Sequence, residues 1–184
     1  MFIIKNNYYL YIENIKDFDI DSQKNNKKIN IILKNLKNNK LSEIIEFKKK
    51  CKLKKFKIFI ANNLMLAKKC NADGLYISAY NKKIYLDKIN KIGSAHNLKE
   101  ISEKLKQKCR TIIVSRLFKT DYPKKKSYLG VLKFNLLIKQ TNQELCPLGG
   151  IRSHNLLKLR LVGSKSLALL SEVKKKPTIS SRLF

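Results

Sequence analysis

Neutral amide side chains follow two short apolar segments at the point where each segment becomes polar. Asn62 and Asn63 come directly after "KIFIA", and Asn81 follows "GLYISAY". If both segments are parallel strands, their carboxyl ends meet at one edge of a sheet, where binding sites form. Aspartates at such positions are typical of a magnesium site, because Mg²⁺ prefers carboxylate oxygens. The amides therefore indicate either a metal site that has lost its charge or a chance pattern.

The ends of the other apolar segments carry lysines, hydroxyls and glycines, with almost no carboxylates. These residues are Lys34, Ser94, His96, Ser115, Arg116, Lys119, Thr120, Gly149, Gly150 and Ser171. Glycines let backbone N–H groups approach an anion, helix N-termini favour negative charge, and lysines add positive charge. The combination predicts phosphate binding. No Ser/His/Asp set, pair of acids or His/Cys cluster is visible, and His96 and His154 are interpreted as residues at helix starts.

The formal net charge of +28 on 184 residues suggests nucleic-acid binding as an alternative function. The charge comes from 36 lysines and only five arginines. Specific phosphate and base readers use arginine, whose planar fork binds bidentately. Lysine, asparagine and isoleucine share A/T-rich codons, so a biased genome would enrich all three. We expect no specific nucleic-acid partner, but salt-sensitive adhesion to polyanions.

The length fits one domain, predicted over residues 1–174 and followed by a basic tail over 175–184. No run of about 18 apolar residues exists, so no membrane span is expected. The N-terminal segment lacks a basic region and a small-residue cleavage site, so it does not resemble a signal peptide. Four cysteines without C-x-x-C spacing predict buried, reduced thiols in a cytoplasmic protein. They are Cys51, Cys70, Cys109 and Cys146.

Eight short apolar, β-branched or aromatic runs predict the strands. They are "YYLYI" at Tyr8, "INIIL" at Ile29, "KIFIA" at Lys57, "GLYIS" at Gly74, "KIGSA" at Lys91, "TIIV" at Thr111, "LCPLG" at Leu145 and "SLALL" at Ser166. Continuous apolar runs are typical of strands buried on both faces of a parallel sheet. Alternation with helical patterns predicts an α/β fold, a compact (β/α)₈ TIM barrel. An open flavodoxin-like sheet is the structural alternative.

Four segments between the runs predict helices. In "NLKEISEKLKQKC", Asn97 and Glu100 resemble a capping box, and an apolar face is predicted. That face comprises Leu98, Ile101, Leu105 and Cys109. The other helices are "LSEIIEFKKKC" with Ser42 as N-cap, "GVLKFNLLIKQ", and "RSHNLLKLRLVG" from Ser153 to Gly163. The segments after the first and fourth strands are too short or too polar for full helices, so one or two barrel helices are expected to be rudimentary.

Several motifs resemble the thiamine phosphate synthase and thiazole tautomerase (TenI-like) superfamily, a family of (β/α)₈ barrels. The stretch "ANNLMLAKKCNADGLYIS" resembles its N-D…A…ADGVHLG segment. "IGSAHNLKEISEK" resembles G-x-S-x-H-s-x-x-E, and "SRLFKTDYPKKKSYLG" resembles the loop G-P-I-F-x-T-x-T-K. "PLGGIRSHNLLKLRLVGSKSLALLSE" resembles its last strand-helix-strand unit. The resemblance extends from about Tyr8 to Val173.

The resemblance implies a transferase that joins an aminopyrimidine methyl pyrophosphate to a thiazole phosphate and releases pyrophosphate. Ser94 and Lys34 would have the catalytic role of stabilising the leaving group. The implied pyrophosphate-side residues are Lys34, Asn62, Ser94 and Lys124. The implied thiazole phosphate-side residues are Thr120, Gly149, Gly150, Leu170 and Ser171. The implied partners are these two phosphorylated small molecules; the oligomeric state is open.

In this resemblance the family's two magnesium aspartates align with Asn63 and Asn81. The loop of this chain departs from the family's pattern at Arg116, Tyr122 and Pro123. The resemblance thus implies Mg²⁺ as cofactor at a site weakened by two uncharged ligands. The resemblance leaves two functions open, the synthase reaction and a tautomerase-like or non-catalytic protein that binds a phosphorylated thiazole; nucleic-acid binding through the net charge is a third and less favoured alternative.

Overall fold

Eight parallel strands form a closed barrel in a computed structural model that describes residues 5–120 and 127–169. The strands are β1 Asn7–Ile12, β2 Ile29–Leu33, β3 Lys57–Ala61, β4 Gly74–Ile77, β5 Lys91–Ala95, β6 Thr111–Ser115, β7 Leu145–Leu148 and β8 Ser166–Leu169. Each strand pairs with its sequence neighbour, and β1 pairs with β8 to close the ring. All eight predicted strands and the TIM barrel are confirmed, and the open-sheet alternative is wrong.

Four α-helices and three 3₁₀ helices surround the barrel in the described part of the chain. They are α1 Leu41–Leu53, α2 Leu64–Lys69, α3 Leu98–Lys106 and α4 Gly130–Thr141, with 3₁₀ helices at Ile15–Asp17, Leu36–Asn38 and Ser153–Leu161. The connection from β1 to β2 contains only one 3₁₀ turn. Residues 78–90, which connect β4 to β5, contain no helix. The predicted rudimentary connections are confirmed.

Two predicted helix details are wrong. Helix α1 begins at Leu41 rather than after Ser42, because the Glu43 carboxylate accepts the Lys40 backbone N–H at 3.1 Å. The segment from Ser153 forms a 3₁₀ helix instead of an α-helix. Asn97 is the N-cap of α3 as predicted, and its side chain accepts the Glu100 backbone N–H at 2.9 Å.

The buried face of α3 differs from the predicted apolar face. Ile101 is buried, but Leu98 and Leu105 are largely exposed, and Lys104 is completely buried. The Lys104 Nζ donates to the backbone carbonyl of Asn81 at 2.8 Å and to Gln107 Oε1 at 2.8 Å. The helix-free connection after β4 supplies the carbonyl. A lysine stem packs well against apolar groups when its ammonium finds such acceptors, so periodicity alone misjudges this face.

The core has two layers. One fills the barrel interior with alternate residues of the strands, including Tyr9, Tyr11, Phe59 and Tyr76. The other lies between the barrel and its helices.

All four cysteines are buried and free, as predicted. Within the described residues, no helix is long and apolar enough to cross a membrane. The predicted domain boundary at 174 lies outside the described residues.

Candidate active site

Tyr11, Lys34, Tyr76 and Ser94 form a group at the carboxyl ends of the strands, here called the tyrosine cluster. Side chains alternate along a strand, so a residue two positions after an interior residue points the same way. Lys34 follows interior Ile32 by two positions, and its backbone N–H donates to the Ile12 carbonyl at 2.8 Å. These contacts hold Lys34 at the end of β2, beside the end of β1.

The contacts within the tyrosine cluster join a cation, two phenols and a hydroxyl. The Lys34 Nζ lies 4.2 Å from the centre of the Tyr11 ring and 5.5 Å from that of Tyr76. The Tyr11 hydroxyl donates to the Tyr76 hydroxyl at 3.2 Å, which in turn donates to Ser94 Oγ at 2.8 Å. Burial lowers the pKa of the Lys34 ammonium, and the charge of Glu13 opposes this effect. The cluster therefore brings together the two predicted catalytic residues, Lys34 and Ser94.

Asn62 organises the ends of β3 and β4. Its Oδ1 accepts the Ser78 backbone N–H at 3.0 Å, the Ser78 hydroxyl at 3.1 Å and the Asn81 Nδ2 at 3.0 Å. Its own Nδ2 donates to the Tyr80 hydroxyl at 3.2 Å. The backbone has φ of 56°, a left-handed conformation that asparagine tolerates. Three donors already occupy the Asn62 Oδ1. The Asn62 Nδ2, by contrast, donates to the exposed Tyr80, and a ligand could take the place of this tyrosine.

A second group, here called the glycine cluster, lies where β6 and β7 end and contains Arg116, Thr120, Gly149 and Gly150. The Arg116 Nη1 donates to Thr120 Oγ1 at 2.6 Å, and its Nη2 donates to the Ser127 carbonyl at 3.1 Å. A Cβ on Gly149 would lie 3.2 Å from the Arg116 Cγ, so the arginine packs directly against this glycine. Guanidinium groups suit phosphate recognition.

Positive φ angles fix the two glycines of the glycine cluster, at 97° for Gly149 and 68° for Gly150. The Gly150 carbonyl accepts the side-chain amide of buried Asn155 at 2.7 Å. The other predicted residues of this side, Leu170 and Ser171, lie outside the described residues, as do Lys124, Tyr122 and Pro123. His96 directly precedes the N-cap of α3, its Nδ1 2.9 Å from Glu100 Oε2, so its predicted place at a helix start is confirmed.

Sequence comparison matches residues 27–173 to the family described as thiamine monophosphate synthase. The chain belongs to the thiamine monophosphate synthase family. Thiamine-phosphate synthases of two Prochlorococcus marinus strains are similar to it. That of strain AS9601 is 33% identical over 140 residues, which are 72% of this chain and 40% of the relative. That of the subspecies pastoris is 34% identical over 139 residues, 71% of this chain and 39% of the relative. The chain thus spans about 40% of these relatives' length.

Solved structures share the barrel. A thiamine phosphate pyrophosphorylase from Pyrococcus furiosus aligns with a TM-score of 0.75 at 15% identity and covers 96% of this chain and 91% of its own. A second, from Bacteroides thetaiotaomicron, has a TM-score of 0.61 at 14% identity, with 93% and 85% covered. At these identities the likeness shows a common fold. The family resemblance predicted from the motifs is confirmed by the family match.

The amides at the two positions that the motif resemblance assigns to magnesium aspartates do not fit Mg²⁺. Asn63 is the N-cap of α2, and its Oδ1 accepts the Leu66 backbone N–H at 2.9 Å. The Oδ1 of Asn81 accepts the Lys83 backbone N–H at 2.9 Å. Both oxygens thus have local partners, and neither carries the charge that Mg²⁺ sites use. The described strand ends at 62–63 and 78–81 contain no carboxylate. The magnesium assignment stays a prediction.

Replacing these amides singly by aspartate is expected to lower the free energy of unfolding by unequal amounts. The Asn81 Nδ2 donates to Asn62 Oδ1 and to the Tyr85 hydroxyl at 3.1 Å. Asn81→Asp removes both donors and sets a carboxylate oxygen against Asn62 Oδ1, which should cost about 1–3 kcal/mol of unfolding free energy. Asn63→Asp keeps the capping oxygen and should change it by less than about 0.5 kcal/mol. Urea unfolding measures both.

The double variant then tests the metal assignment. We expect Asn63→Asp with Asn81→Asp to weaken pyrophosphate binding both in Mg²⁺ and in chelator, because the Asn62–Asn81 contact is lost. A metal site would instead give tighter binding at high Mg²⁺ and weaker binding in chelator, since added carboxylates attract the cation and repel the free anion. Calorimetry measures both conditions, and such a reversal would contradict the interpretation of the two amides as cap and turn residues that bind no metal.

Two site residues, Tyr11 and Tyr76, escape prediction from the sequence alone, and Arg116 is predicted only as one member of the anion-binding ring. Tyr11 and Tyr76 lie inside apolar runs, where a tyrosine normally indicates core packing. The only sequence signal is that Tyr11 follows Tyr9, another interior tyrosine of β1, by two positions. Arg116 stands at the end of β6 among the predicted anion-binding residues, but no role follows from its position in the sequence. Its contact with Thr120 assigns it to the glycine cluster.

Proposed function

We propose that this chain joins an aminopyrimidine methyl pyrophosphate to a thiazole phosphate and releases pyrophosphate. The observation that carries the proposal is that two groups of side chains and backbone suited to anions, the tyrosine cluster and the glycine cluster, lie at the same end of the barrel. A reaction between two phosphorylated molecules requires such a pair of subsites. Membership of the thiamine monophosphate synthase family supports this pairing of substrates.

The tyrosine cluster is assigned the pyrophosphate. In the reaction, the bond between the pyrimidine methylene carbon and a pyrophosphate oxygen breaks, and both electrons leave with the oxygen. Negative charge therefore grows on the leaving group. Lys34 supplies a positive charge and Ser94 a hydroxyl donor, and both stabilise that charge more in the transition state than in the substrate. Partial burial strengthens the attraction, because surrounding water screens it less.

The glycine cluster is assigned the thiazole phosphate. Its backbone can approach a phosphate closely at Gly149 and Gly150, while Arg116 and Thr120 offer donors beside them. A thiazole held there by its phosphate presents the ring nitrogen, whose electron pair forms the new bond to the methylene carbon. The contribution of these groups is positioning, since both reactants are bound before the bond forms.

The test is to incubate the purified chain with both phosphorylated substrates and to follow thiamine phosphate and pyrophosphate together. Each reaction is run at physiological salt, because the +28 charge adsorbs polyanions non-specifically at low salt. Equal amounts of both products, formed with and without Mg²⁺ added, are expected. Absence of both products above the background of the substrates alone would refute the proposal.

A second function fits the same structure if the pyrophosphate subsite is unproductive. All four residues of the glycine cluster lie within the described residues, whereas the amides at 63 and 81 depart from the aspartates that the family resemblance implies there. We propose, as the alternative, a tautomerase-like or non-catalytic protein for a phosphorylated thiazole. Calorimetry would then show thiazole phosphate binding without turnover. For either function we propose the cytoplasm as the compartment, supported by four free, buried thiols.

A further inference from the structure

Three hydroxyl groups form a line from the barrel interior to the strand ends. Tyr11 and Tyr76 are 3% and 2% exposed, whereas Ser94 is only partly buried. The line is closely spaced, with 3.2 Å between the two phenol oxygens and 2.8 Å from Tyr76 to Ser94 Oγ. The two rings meet edge to face with centres 5.5 Å apart, which fixes the phenol oxygens relative to each other.

We propose that Tyr11 and Tyr76 are positioning residues that orient the Ser94 hydroxyl to donate to a phosphoryl oxygen of pyrophosphate. The inference rests on the proposed function of the tyrosine cluster. A hydroxyl carries one proton and can accept at its lone pairs. We assign the protons of this chain from Tyr11 to Tyr76 and from Tyr76 to Ser94 Oγ, which leaves the Ser94 proton to donate to the anion.

Such a chain of donors strengthens the last hydrogen bond. Each hydroxyl that accepts a hydrogen bond becomes a better donor, and this effect is larger where water is excluded. The effect grows as the bound oxygen gains charge, so it is greatest for the departing pyrophosphate. The tyrosines therefore contribute to turnover more than to binding of the intact substrate.

Both phenols are suited to act as neutral donors. Burial raises the pKa of Tyr11 well above its ordinary value, and the neighbouring Tyr76 adds to the effect. Burial also raises the pKa of Tyr76, although its bonds to Ser94 and Tyr11 oppose the shift. Neither phenol ionises near neutral pH. The Lys34 ammonium above the Tyr11 ring further holds that ring in place and lies beside the same anion.

The test compares Tyr76→Phe and Tyr11→Phe with Tyr9→Phe in the intact chain. Tyr9 is the matched control, because it is also an interior tyrosine of β1 but its hydroxyl bonds Thr111 at the opposite end of the barrel, at 3.4 Å. We expect Tyr76→Phe to weaken pyrophosphate binding about three- to tenfold, Tyr11→Phe to have a smaller effect and Tyr9→Phe none. In turnover, kcat should fall more than KM rises.

A double-mutant cycle isolates the relay. Because Tyr76 acts through Ser94, Tyr76→Phe should cause no further loss of pyrophosphate affinity when Ser94 is already alanine. Equal affinities of Tyr76→Phe, Tyr9→Phe and the unmodified chain would overturn the inference while leaving the proposed function intact. An additive loss in the double variant would do the same. An unmodified chain that binds no pyrophosphate at physiological salt would overturn both.

Discussion

Replacing Gly150 with alanine is expected to abolish measurable binding of thiazole phosphate and to lower the unfolding free energy by about 2–4 kcal/mol. A Cβ at this position would lie 2.4 Å from the backbone oxygens of both Phe118 and Lys119. Backbone carbonyls cannot swing aside as a side chain can, so the segment after β6 must move. The same segment carries Thr120 and follows Arg116, so the change dismantles the glycine cluster as well as straining it.

Gly130→Ala is the matched control for this prediction. Gly130 has φ of 69°, nearly the same as the 68° of Gly150, but a Cβ there meets no atom within 4 Å. It should therefore carry only the conformational cost of a left-handed alanine, about 1 kcal/mol. Urea unfolding and calorimetry with thiazole phosphate measure both variants. Equal effects at the two positions would mean that the close approach at Gly150 is unimportant.

The barrel could be predicted from the sequence because its strands are buried on both faces. Each strand is a short run of apolar residues between polar ones, and this local pattern needs no tertiary information. The same holds for the N-cap at Asn97, whose side chain bonds a backbone N–H three residues away. Features that depend on neighbours close in sequence are thus predicted well.

The site could be predicted only in part, because its geometry depends on residues far apart in the chain. Lys34 and Ser94 were found as polar residues after apolar runs. Their meeting with Tyr11 and Tyr76 depends on which strands adjoin and on side-chain direction inside the barrel. The buried ammonium of Lys104 escaped prediction for a similar reason, since its acceptor is the Asn81 carbonyl on another segment. Asn63 and Asn81, which the sequence suggests as altered metal ligands, also act as a helix cap and a turn residue, because their side-chain oxygens accept nearby backbone N–H groups.

Removing the charge of Lys34 is expected to have the largest effect on the pyrophosphate side. Lys34→Met should weaken pyrophosphate binding about 10- to 100-fold, the range for a charged hydrogen bond worth about 1.5–3 kcal/mol. Lys57→Met is the control, because Lys57 is an exposed lysine at the amino end of β3, opposite the site. It removes the same charge from the molecule, so it corrects for the general attraction of a +28 protein for anions. Similar losses in both variants would show that binding reflects overall charge.

The pH dependence of binding tests the same group by another route. Burial lowers the pKa of Lys34, which means that its charge is lost at a lower pH than that of an ordinary lysine. The charged form attracts pyrophosphate, so affinity should fall as the pH rises through this lowered pKa. Because the bound anion stabilises the ammonium, the pKa of Lys34 should be higher in the complex than in the free protein. Lys34→Arg keeps its charge over the whole range. The ratio of the affinities of the unmodified chain and Lys34→Arg removes the ionisation of pyrophosphate itself. This ratio should decrease on the alkaline side, and a constant ratio would show that Lys34 does not bind the anion through its charge.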